Sequence, residues 1–527
     1  MKASDVLGPI EGLRLDELAR EIPGHAAIRG DASVRVVGVH HDSRAVGRGD
    51  LFVARKGARA DGARFVEDAL ARGAVALMAV RGAIDVGASA VPSIEVDDVQ
   101  DGLAYAAAAV YGHPAFTLEV VGVTGTNGKT TATHLIRAAI DGAGGGSRCG
   151  TIGTVGHRFG DLLLDAEHTT PEADEIARVM AVMRKRGATH VAMEVSSHAL
   201  ALRRVLAVRF RVAAFTNLTQ DHLDFHGSMD EYAAAKALLF TELAPGTAVI
   251  NVDGAFGREL ATRVKSPLVR VSATTGRAEG EAEIAPRSVT MGAEGIDALL
   301  RTPVGDVRVR SRLVGAHNLE NLVVAIGVVH ALELDVHRAV EALAGERGAP
   351  GRLERCDDAG DDVTVLVDYA HTPDALARVL ESVRKIVKAR VWCVFGCGGD
   401  RDATKRAPMG EAAARGADAL VVTNDNPRTE DPVAIAASVC NGVRAAGLDE
   451  IGIDALAAGA RGFVIELDRA RAIASVVASA SAGDIVVVAG KGHEDYQIIG
   501  TEKRHLDDRE EAKRALALRR AKQGGPR

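Results

Sequence analysis

The sequence predicts an α/β fold with three domains. The central domain is predicted to have a P-loop-type, mostly parallel sheet, and the C-terminal domain to be doubly wound and Rossmann-like. Short β-branched runs alternate with helical patterns, which is typical of parallel sheets. The 527 residues exceed one hydrophobic core, because domains usually hold about 100–200 residues. Three glycines and a proline in residues 345–351 indicate a linker between the second and third domains. We place the three domains at residues 1–115, 116–345 and 346–527.

The composition argues against several classes of protein. The formal net charge of −7 gives no reason to expect a nucleic-acid partner. The five scattered cysteines argue against a disulfide framework and for a reducing compartment. The first residues do not resemble a signal peptide, and no run of about 18 apolar residues occurs. We therefore expect no membrane insertion and a cytoplasmic location.

The first domain is predicted to contain strands at residues 34–39, 50–54 and 74–80 and a helix at residues 61–71. The loop at residues 41–50 is rich in Asp, Ser, Arg and Gly, so it can offer hydroxyl, guanidinium and N–H groups to an anionic ligand. A solvated loop would have the same composition, and both interpretations stay open.

Residues 120–131 have the build of a phosphate-binding loop. A β-branched run passes through Gly122, Gly125 and Gly128 to Lys129 and Thr130, and a helical pattern follows. Such a loop presents backbone N–H groups, a lysine charge and a hydroxyl to phosphate and Mg²⁺. The strict pattern has a further glycine where this chain has valine at position 123, so the match is to a variant.

Two more apolar strands end in polar residues. Residues 189–198 end with Glu194, and residues 212–218 lead to His222. Ligands bind at the carboxyl ends of strands in open α/β sheets, so a carboxylate and an imidazole could hold a nucleotide's Mg²⁺ there. The next helix, residues 229–240, has Tyr232 and Lys236 on one face, and its composition alone predicts a lysine that reaches water.

Residues 284–314 are predicted to be β-rich, and an apolar helix containing Asn321 follows. The Asn321 amide needs a partner, which could be an adenine edge or a neighbouring backbone group. Beyond the linker, strands and helices alternate, again with polar clusters after the strand ends. The chain closes with a charged helix from about residue 510, to which no function is assigned.

Several motifs occur in an order that resembles the Mur ligases of peptidoglycan synthesis. They are GVTGTNGKTT (122–131), MEVSSH (193–198), NLTQDHLD (217–224), HNLEN (317–321), DYAHTP (368–373) and GKGHE (490–494). The motif DNPR (425–428) narrows the resemblance to members that add meso-2,6-diaminopimelate. The resemblance extends from about residue 39 to residue 497.

The resemblance implies an ATP-dependent amide ligase of cytoplasmic peptidoglycan precursor synthesis, with ATP and Mg²⁺ as cofactors. The D-glutamate γ-carboxylate of UDP-N-acetylmuramoyl-L-alanyl-D-glutamate would be phosphorylated by ATP, and the diaminopimelate amine would then displace phosphate. A carboxylate is a poor electrophile, and phosphorylation converts its oxygen into a leaving group. We expect a monomer.

The resemblance also implies residue roles. The triphosphate would be bound by Gly125, Thr126, Asn127, Gly128, Lys129, Thr130 and Thr131. Further nucleotide contacts would come from Asn318, Asn321, Arg352 and Asp368, with His371 nearby. The catalytic group would be Lys129, Glu194, His222 and Lys236. Thr130 and Glu194 would bind one Mg²⁺, and His222 would bind a second with Lys236, the latter as a carbamate (N6-carboxylysine).

The substrates would have separate sites. The muramyl nucleotide would contact Ser43, Thr169, Thr170, Ser196 and Arg204, with a uridine loop at residues 58–60. His168 and Leu202 depart from the pattern common in the family. Diaminopimelate would contact Arg401, Asp425, Asn426, Pro427, Arg428, Gly490 and Glu494. Arg428 can bind its distal carboxylate through two hydrogen bonds, which a lysine-adding enzyme would not need.

Three alternatives stay open. A lysine-adding ligase of the same family is disfavoured by DNPR, and a folylpolyglutamate synthase-like ligase would not need the first domain. A nucleotide-gated scaffold is disfavoured by the complete set of predicted catalytic residues.

Overall fold

The computed structural model describes residue 7 and residues 11–56, 61–83 and 91–523. They form two compact units. The first unit comprises Met1–Ala285, Arg301–Gly305 and Glu320–Ala342, and the second comprises Pro286–Leu300, Asp306–Leu319 and Leu343–Arg527. Sheets of five, eight and six strands fall within the first, second and third predicted domains, respectively. The predicted α/β architecture is therefore confirmed.

The five-stranded sheet belongs to the first unit and has the order β2-β7-β6-β5-β4, with β2 antiparallel to its neighbour and the others parallel. The strands are β1 (Leu13–Arg14), β2 (Ala26–Arg29), β3 (Arg35–Val36), β4 (Gly38–His40), β5 (Asp50–Val53), β6 (Ala76–Val80) and β7 (Ser93–Val96). The helices are α1 (Leu15–Glu21), α2 (Val66–Arg72), α3 (Val99–Val110) and α4 (Pro114–Thr117).

Two local predictions for this region were wrong in detail. Residues 34–39 are not one strand, because the chain changes sheets at Val37: β3 pairs with β1, whereas β4 pairs with β5. The predicted helix at residues 61–71 begins as a 3-10 turn, Gly62–Phe65, which is capped by the Asp61 side chain, and the α-helix begins only at Val66.

The eight-stranded sheet, also in the first unit, has the order β11-β10-β9-β12-β8-β13-β14-β15. Its strands are β8 (Glu119–Thr124), β9 (Cys149–Ile152), β10 (His157–Phe159), β11 (Leu162–Leu164), β12 (His190–Glu194), β13 (Phe210–Phe215), β14 (Thr247–Asn251) and β15 (Leu268–Val271). Strands β12, β8 and β13 are parallel neighbours, so their carboxyl ends share one edge as predicted. The helices are α5 (Lys129–Gly144), α6 (Ala173–Lys185), α7 (Ser197–Ala201), α8 (Leu223–His226), α9 (Met229–Thr241) and α10 (Ala255–Arg263).

The predicted β-rich stretch is a three-stranded sheet, formed by β16 (Ala285–Gly292), β17 (Gly295–Thr302) and β18 (Gly305–Ser311). Two helices follow it, α11 (Ala316–Ala331) and α12 (Val336–Leu343).

The six-stranded sheet of the second unit has the order β19-β20-β24-β21-β22-β23 and is parallel except for β19. Its strands are β19 (Glu354–Arg355), β20 (Thr364–Asp368), β21 (Val391–Phe395), β22 (Ala419–Val422), β23 (Gly462–Ile465) and β24 (Ile485–Ala489), and a hairpin follows with β25 (Tyr496–Ile499) and β26 (Glu502–His505). The helices are α13 (Pro373–Arg384), α14 (Arg406–Gly416), α15 (Pro432–Ala445), α16 (Ile453–Ala457), α17 (Arg469–Ser479) and α18 (Asp508–Gln523).

Both faces of this sheet are buried, which explains its uninterrupted apolar strands. Alternate residues of β21 enter different cores: Cys393 packs with Leu380 of α13, whereas Trp392 packs with Ile473 of α17. The indole N–H of the fully buried Trp392 donates to Asp484 at 2.9 Å. Within the described residues, no helix combines the length and the apolar character needed to cross a membrane.

Candidate functional site

The phosphate loop connects the end of β8 to the first residue of α5, Lys129. Gly125 has a φ of 150°, and a Cβ there would lie 1.9 Å from Thr216 Oγ1. Gly128 has a φ of 83°, and a Cβ there would lie 2.3 Å from Asn321 Oδ1. Both positions therefore require glycine. Val123 is fully buried in β8, so the glycine missing from the strict pattern falls before the loop.

Residues from the end of β13 brace this loop. Asn217 accepts hydrogen bonds from the N–H of Thr126 (2.8 Å) and the N–H of Asn127 (3.0 Å). The Lys129 ammonium donates to the carbonyls of Gly125 and Thr126, each at 2.9 Å. The loop thus places a lysine charge at the N-terminus of a 16-residue helix, which is a favourable position for phosphate.

Thr130 and Glu194 meet beside the loop. Thr130 Oγ1 donates to Glu194 Oε2 at 2.9 Å, and the Thr154 N–H donates to Glu194 Oε1 at 2.8 Å. Glu194 is only 1% exposed. A hydroxyl and a carboxylate are oxygen ligands of the kind that Mg²⁺ prefers, so the two residues fit the predicted metal role.

Lys236 is buried and does not reach water as its composition suggested. The side chain is 1% exposed, Nζ donates to the Gly125 carbonyl at 2.8 Å, and the Tyr232 ring centroid is 4.4 Å from Nζ. Burial, together with the nearby charge of Lys129, lowers the pKa of Lys236 from 10.5 to about 6. The amine is therefore mostly neutral at pH 7, as carbamate formation requires.

His222 lies beside the Tyr232 ring, which Lys236 also contacts. Its ring centroid is 6.1 Å from that of Tyr232 and 4.8 Å from that of His198. The side chain is 46% exposed and Nε2 lies 3.6 Å from Asp221. Across the described part of the chain, no group of three or more His, Cys, Asp or Glu side chains is arranged to hold a metal ion. The metal set that includes His222 stays a prediction.

Four of the residues predicted to bind the muramyl nucleotide lie close together at the carboxyl end of β12: Thr169, Thr170, Ser196 and Arg204. Thr170 Oγ1 donates to the Glu194 carbonyl at 2.9 Å and accepts from the Ser196 N–H at 2.9 Å. Arg204 donates to the Thr170 carbonyl at 3.0 Å. Thr169 Oγ1 accepts a hydrogen bond from Thr154 at 3.1 Å, so this cluster adjoins the Glu194 site.

Glu172 links this cluster to the five-stranded sheet. Its carboxylate lies 2.7 Å from Arg204 and 2.8 Å from Arg55, the second residue after β5. Glu172 is buried, and although burial alone would raise its pKa, the Arg55 hydrogen bond and both guanidinium charges hold the pKa below its ordinary value. His41 forms a second link, with Nδ1 2.9 Å from buried Asp174.

Other predicted contacts lie at the edges of this region. Ser43 is buried in a 3-10 turn that is capped by Asp42. His168 and Leu202, the two departures from the family pattern, are exposed. The predicted uridine loop at residues 58–60 lies outside the described residues.

The second unit brings the predicted diaminopimelate residues together at the ends of β22 and β24. Asn426 Nδ2 donates to Glu494 Oε2 at 3.0 Å. The fully buried Lys491 has Nζ 3.3 Å from Asp425 Oδ1, 3.2 Å from Asn426 Oδ1 and 3.5 Å from Glu494 Oε2. The Asn426 amide therefore contacts the Glu494 carboxylate and the Lys491 ammonium, and this ammonium also lies near the Asp425 carboxylate.

Arg428 is held in a left-handed conformation with a φ of 52°. Its N–H donates to the Ile498 carbonyl at 3.0 Å, and its carbonyl accepts from the Gly500 N–H at 2.7 Å, so the hairpin fixes its backbone. The guanidinium donates to the Gly399 carbonyl at 2.7 Å, which directs it over the loop that contains Arg401.

The predicted nucleotide contacts in the second unit are Arg352, Asp368 and Asn318. The Arg352 guanidinium lies 4.9 Å from the centre of the Tyr369 ring. Asp368 is buried, which raises the pKa of its carboxyl, and it accepts from the N–H groups of Leu353 and Ala370. Asn318 donates to the Val314 carbonyl at 2.8 Å, so its amide has a backbone partner. Asn321 falls in the first unit, against Gly128.

Comparison with known proteins covers most of the chain. Three family models match: "Mur ligase family, catalytic domain" at residues 35–111, "Mur ligase middle domain" at residues 123–329, and "Mur ligase, glutamate ligase domain" at residues 351–492. A protein of Gloeobacter violaceus named UDP-N-acetylmuramoyl-L-alanyl-D-glutamate--2,6-diaminopimelate ligase is 46% identical over 490 residues, covering 93% of this chain and 95% of the relative.

The chain belongs to the Mur ligase family. A second relative with the same name, from Geobacter metallireducens, is 44% identical and covers 96% of this chain and 98% of its own. A solved structure of a protein of that name is 32% identical, covers 97% of this chain and 99% of its own, and superposes with a TM-score of 0.69. These findings confirm the predicted Mur ligase fold.

Three residues of this Mur ligase were not selected from the sequence. Lys491 could have been found, because it lies in the GKGHE motif between two positions that were selected. Glu172 follows two residues after Thr170, which was selected, but nothing in the sequence indicates the two arginine partners of Glu172. Tyr232 was placed on the face of Lys236, yet its hydroxyl contact with Thr126 at 3.2 Å was not foreseen.

Proposed function

We propose that this Mur ligase adds meso-2,6-diaminopimelate to the D-glutamate γ-carboxylate of UDP-N-acetylmuramoyl-L-alanyl-D-glutamate, at the expense of ATP. The observation that carries the proposal is the cluster of Asn426, Arg428, Lys491 and Glu494, because it suits an amino acid with two charged ends. The names of the relatives support the same substrate. The product would enter peptidoglycan synthesis and so serve cell-wall biogenesis, cell shape and cell division.

The phosphate loop would bind the triphosphate of ATP. Backbone N–H groups at the start of α5 and the Lys129 ammonium would neutralise phosphate charge. The γ-phosphoryl group would pass to a γ-carboxylate oxygen, and ADP would leave. The diaminopimelate amine would then attack the acyl carbon, and inorganic phosphate would depart with the oxygen that it received. The chain would act mainly by positioning the reactants and neutralising charge.

Mg²⁺ would be held by Thr130 and Glu194, with His222 and carbamylated Lys236 at a second position. The ion would neutralise charge on the transferred phosphoryl group. Carbamylation joins the neutral Lys236 amine to carbon dioxide and releases a proton, which converts a potential cation into an anion. The lowered pKa of Lys236 and the contact of its Nζ with the Tyr232 ring support this modification.

The muramyl nucleotide would bind in the first unit. Ser43, in the first domain, would contact the uridine end. The sugar diphosphate and peptide would be contacted by Thr169, Thr170, Ser196 and Arg204. Because Thr170 adjoins Glu194, this placement would bring the γ-carboxylate toward the phosphate loop. Each predicted domain would thus bind mainly one substrate: residues 1–115 the muramyl nucleotide, residues 116–345 ATP and residues 346–527 the amino acid.

Diaminopimelate would be selected by charge. Arg428 would bind the distal carboxylate, Glu494 would accept from the distal ammonium, and Arg401, Asp425, Pro427 and Gly490 would complete the pocket. L-lysine lacks the distal carboxylate, so a lysine-adding ligase is the second candidate and Arg428 argues against it. The enzyme would work as a cytoplasmic monomer.

Phosphate release from ATP tests the proposal. Purified enzyme with the muramyl dipeptide nucleotide and Mg²⁺ is assayed with meso-diaminopimelate, with L-lysine and with no amine. We expect rapid release only with diaminopimelate. Release that is equal with L-lysine would favour the second candidate, and release that is independent of any amine would contradict a ligase.

A further inference from the structure

We infer that Arg469 is a positioning residue for the amino-acid site, and that the C-terminal helix α18 acts on that site through it. Arg469 is the first residue of α17, and its side chain and that of Asp508, the first residue of α18, are both fully buried. Arg469 Nε and Nη2 donate to the two carboxylate oxygens of Asp508 at 2.7 and 2.6 Å. This inference rests on the proposed function, because it concerns the site assigned to diaminopimelate.

The other hydrogen bonds of the Arg469 guanidinium go to the loops that follow β22 and β24, which carry the amino-acid site. Nη1 donates to the carbonyl of Asn424 at 3.1 Å, and Nη2 also donates to the carbonyl of Ala489 at 2.9 Å. Asn424 directly precedes Asp425 and Asn426, and Ala489 directly precedes Gly490. One side chain therefore holds the backbone from which both halves of the cluster begin.

The sheet order explains why such a bridge is needed. The two loops follow β22 and β24, which are not neighbours because β21 lies between them. No ladder hydrogen bonds can join the two strands directly, whereas the Asn426–Glu494 hydrogen bond of 3.0 Å depends on the distance between their loops. Arg469 spans this distance and fixes it.

Stability alone does not account for a buried ion pair at this place. Taking two charges out of water is costly, and well-packed apolar residues often replace a buried pair with no loss of stability. Apolar side chains, however, could not donate to the carbonyls of Asn424 and Ala489. The planar guanidinium offers five N–H donors in a fixed arrangement and so can serve the carboxylate and both carbonyls together.

The test separates positioning from folding with two kinds of variant. Asp508→Asn and Arg469→Lys weaken the bridge, whereas the double variant Arg469→Met/Asp508→Leu removes it and leaves an apolar interior. Asp362→Asn is the matched control, because it breaks the Arg519–Asp362 pair near the other end of α18, where Arg519 Nε lies 2.7 Å from Asp362 Oδ1. Thermal unfolding is measured for each, and KM is measured by phosphate release for diaminopimelate, for ATP and for the muramyl nucleotide.

We expect the double variant to unfold near the wild-type temperature while its KM for diaminopimelate rises about tenfold or more, since small misplacements of binding groups have effects of this size. Its KM for ATP should stay within about twofold of wild type, as should every KM of Asp362→Asn. A folded double variant with an unchanged KM for diaminopimelate, or with equal rises for all three substrates, would overturn the inference. If none of the bridge variants folds, the pair is essential for folding and the inference is overturned as well. A wild-type enzyme that does not respond to diaminopimelate would refute the proposed function and this inference with it.

Discussion

The buried Lys236 makes a quantitative prediction about stability and pH. Its pKa of about 6 in the folded chain compares with an ordinary value of 10.5. Between these two pH values, the unfolded chain holds one more proton on this residue than the folded chain does. Stability therefore rises with pH through this window, and Lys236 contributes a slope of about 1.4 kcal/mol per pH unit. Replacing Lys236 by methionine removes this contribution.

Urea unfolding at pH 7, 8 and 9 in buffers free of carbon dioxide measures the effect. We expect Lys236→Met to be more stable than wild type at pH 7 and its advantage to shrink by roughly 2–3 kcal/mol by pH 9. Lys265→Met, which replaces an exposed lysine, is the control and should parallel wild type at every pH. A difference between Lys236→Met and wild type that does not vary with pH would refute the reasoning. In bicarbonate-containing buffer without urea, phosphate release by Lys236→Met should be nearly lost at each of the three pH values, whereas wild type should be active.

Three further predictions concern the binding sites. Arg428→Lys should raise the KM for diaminopimelate roughly 10- to 100-fold with little change for ATP, since hydrogen bonds to charged groups contribute about 1.5–3 kcal/mol; an unchanged KM in steady-state assays would contradict the assignment. Glu194→Gln should weaken the apparent Mg²⁺ affinity by at least about tenfold, as measured by titrating activity with the metal, and a wild-type Mg²⁺ curve would exclude Glu194 as a ligand. Glu172→Gln removes the charge between Arg55 and Arg204, so it should lower the free energy of unfolding by up to about 3 kcal/mol and raise the KM for the muramyl nucleotide; a rise in the KM for ATP alone would contradict the proposed link.

Features set by local sequence were well predicted. The strand, glycine turn and helix at residues 120–131 follow from glycine conformations and β-branched residues, and the structure places the loop there. The cap of α9 is Ser228, a residue type that favours this position, and its hydroxyl accepts from the Glu231 N–H. The parallel arrangement of β8, β12 and β13 followed from their apolar runs, which need cover on both faces, whereas their order in the sheet was not predicted.

Features that depend on distant residues were not predictable from local patterns. Arg55 and Glu172 are 117 positions apart, and no periodicity relates them. The composition around Lys236 suggested an exposed lysine, since helix propensity and charge say nothing of what packs above a side chain. The resemblance to the family, not the residue pattern, indicated its role. The chain's change of sheet at Val37 was also missed, because both segments have the same β-branched composition.

The cysteines have a practical consequence. All five are unpaired and buried, and burial raises the pKa of each thiol above its ordinary value. Thiol reagents attack the thiolate, so the folded enzyme should react slowly with maleimides although no native cysteine has been removed. One cysteine introduced on the surface of each unit could then be labelled selectively with a pair of fluorophores. Energy transfer between the two fluorophores would then report changes in the distance between the labelled positions during turnover, with all five native cysteines in place.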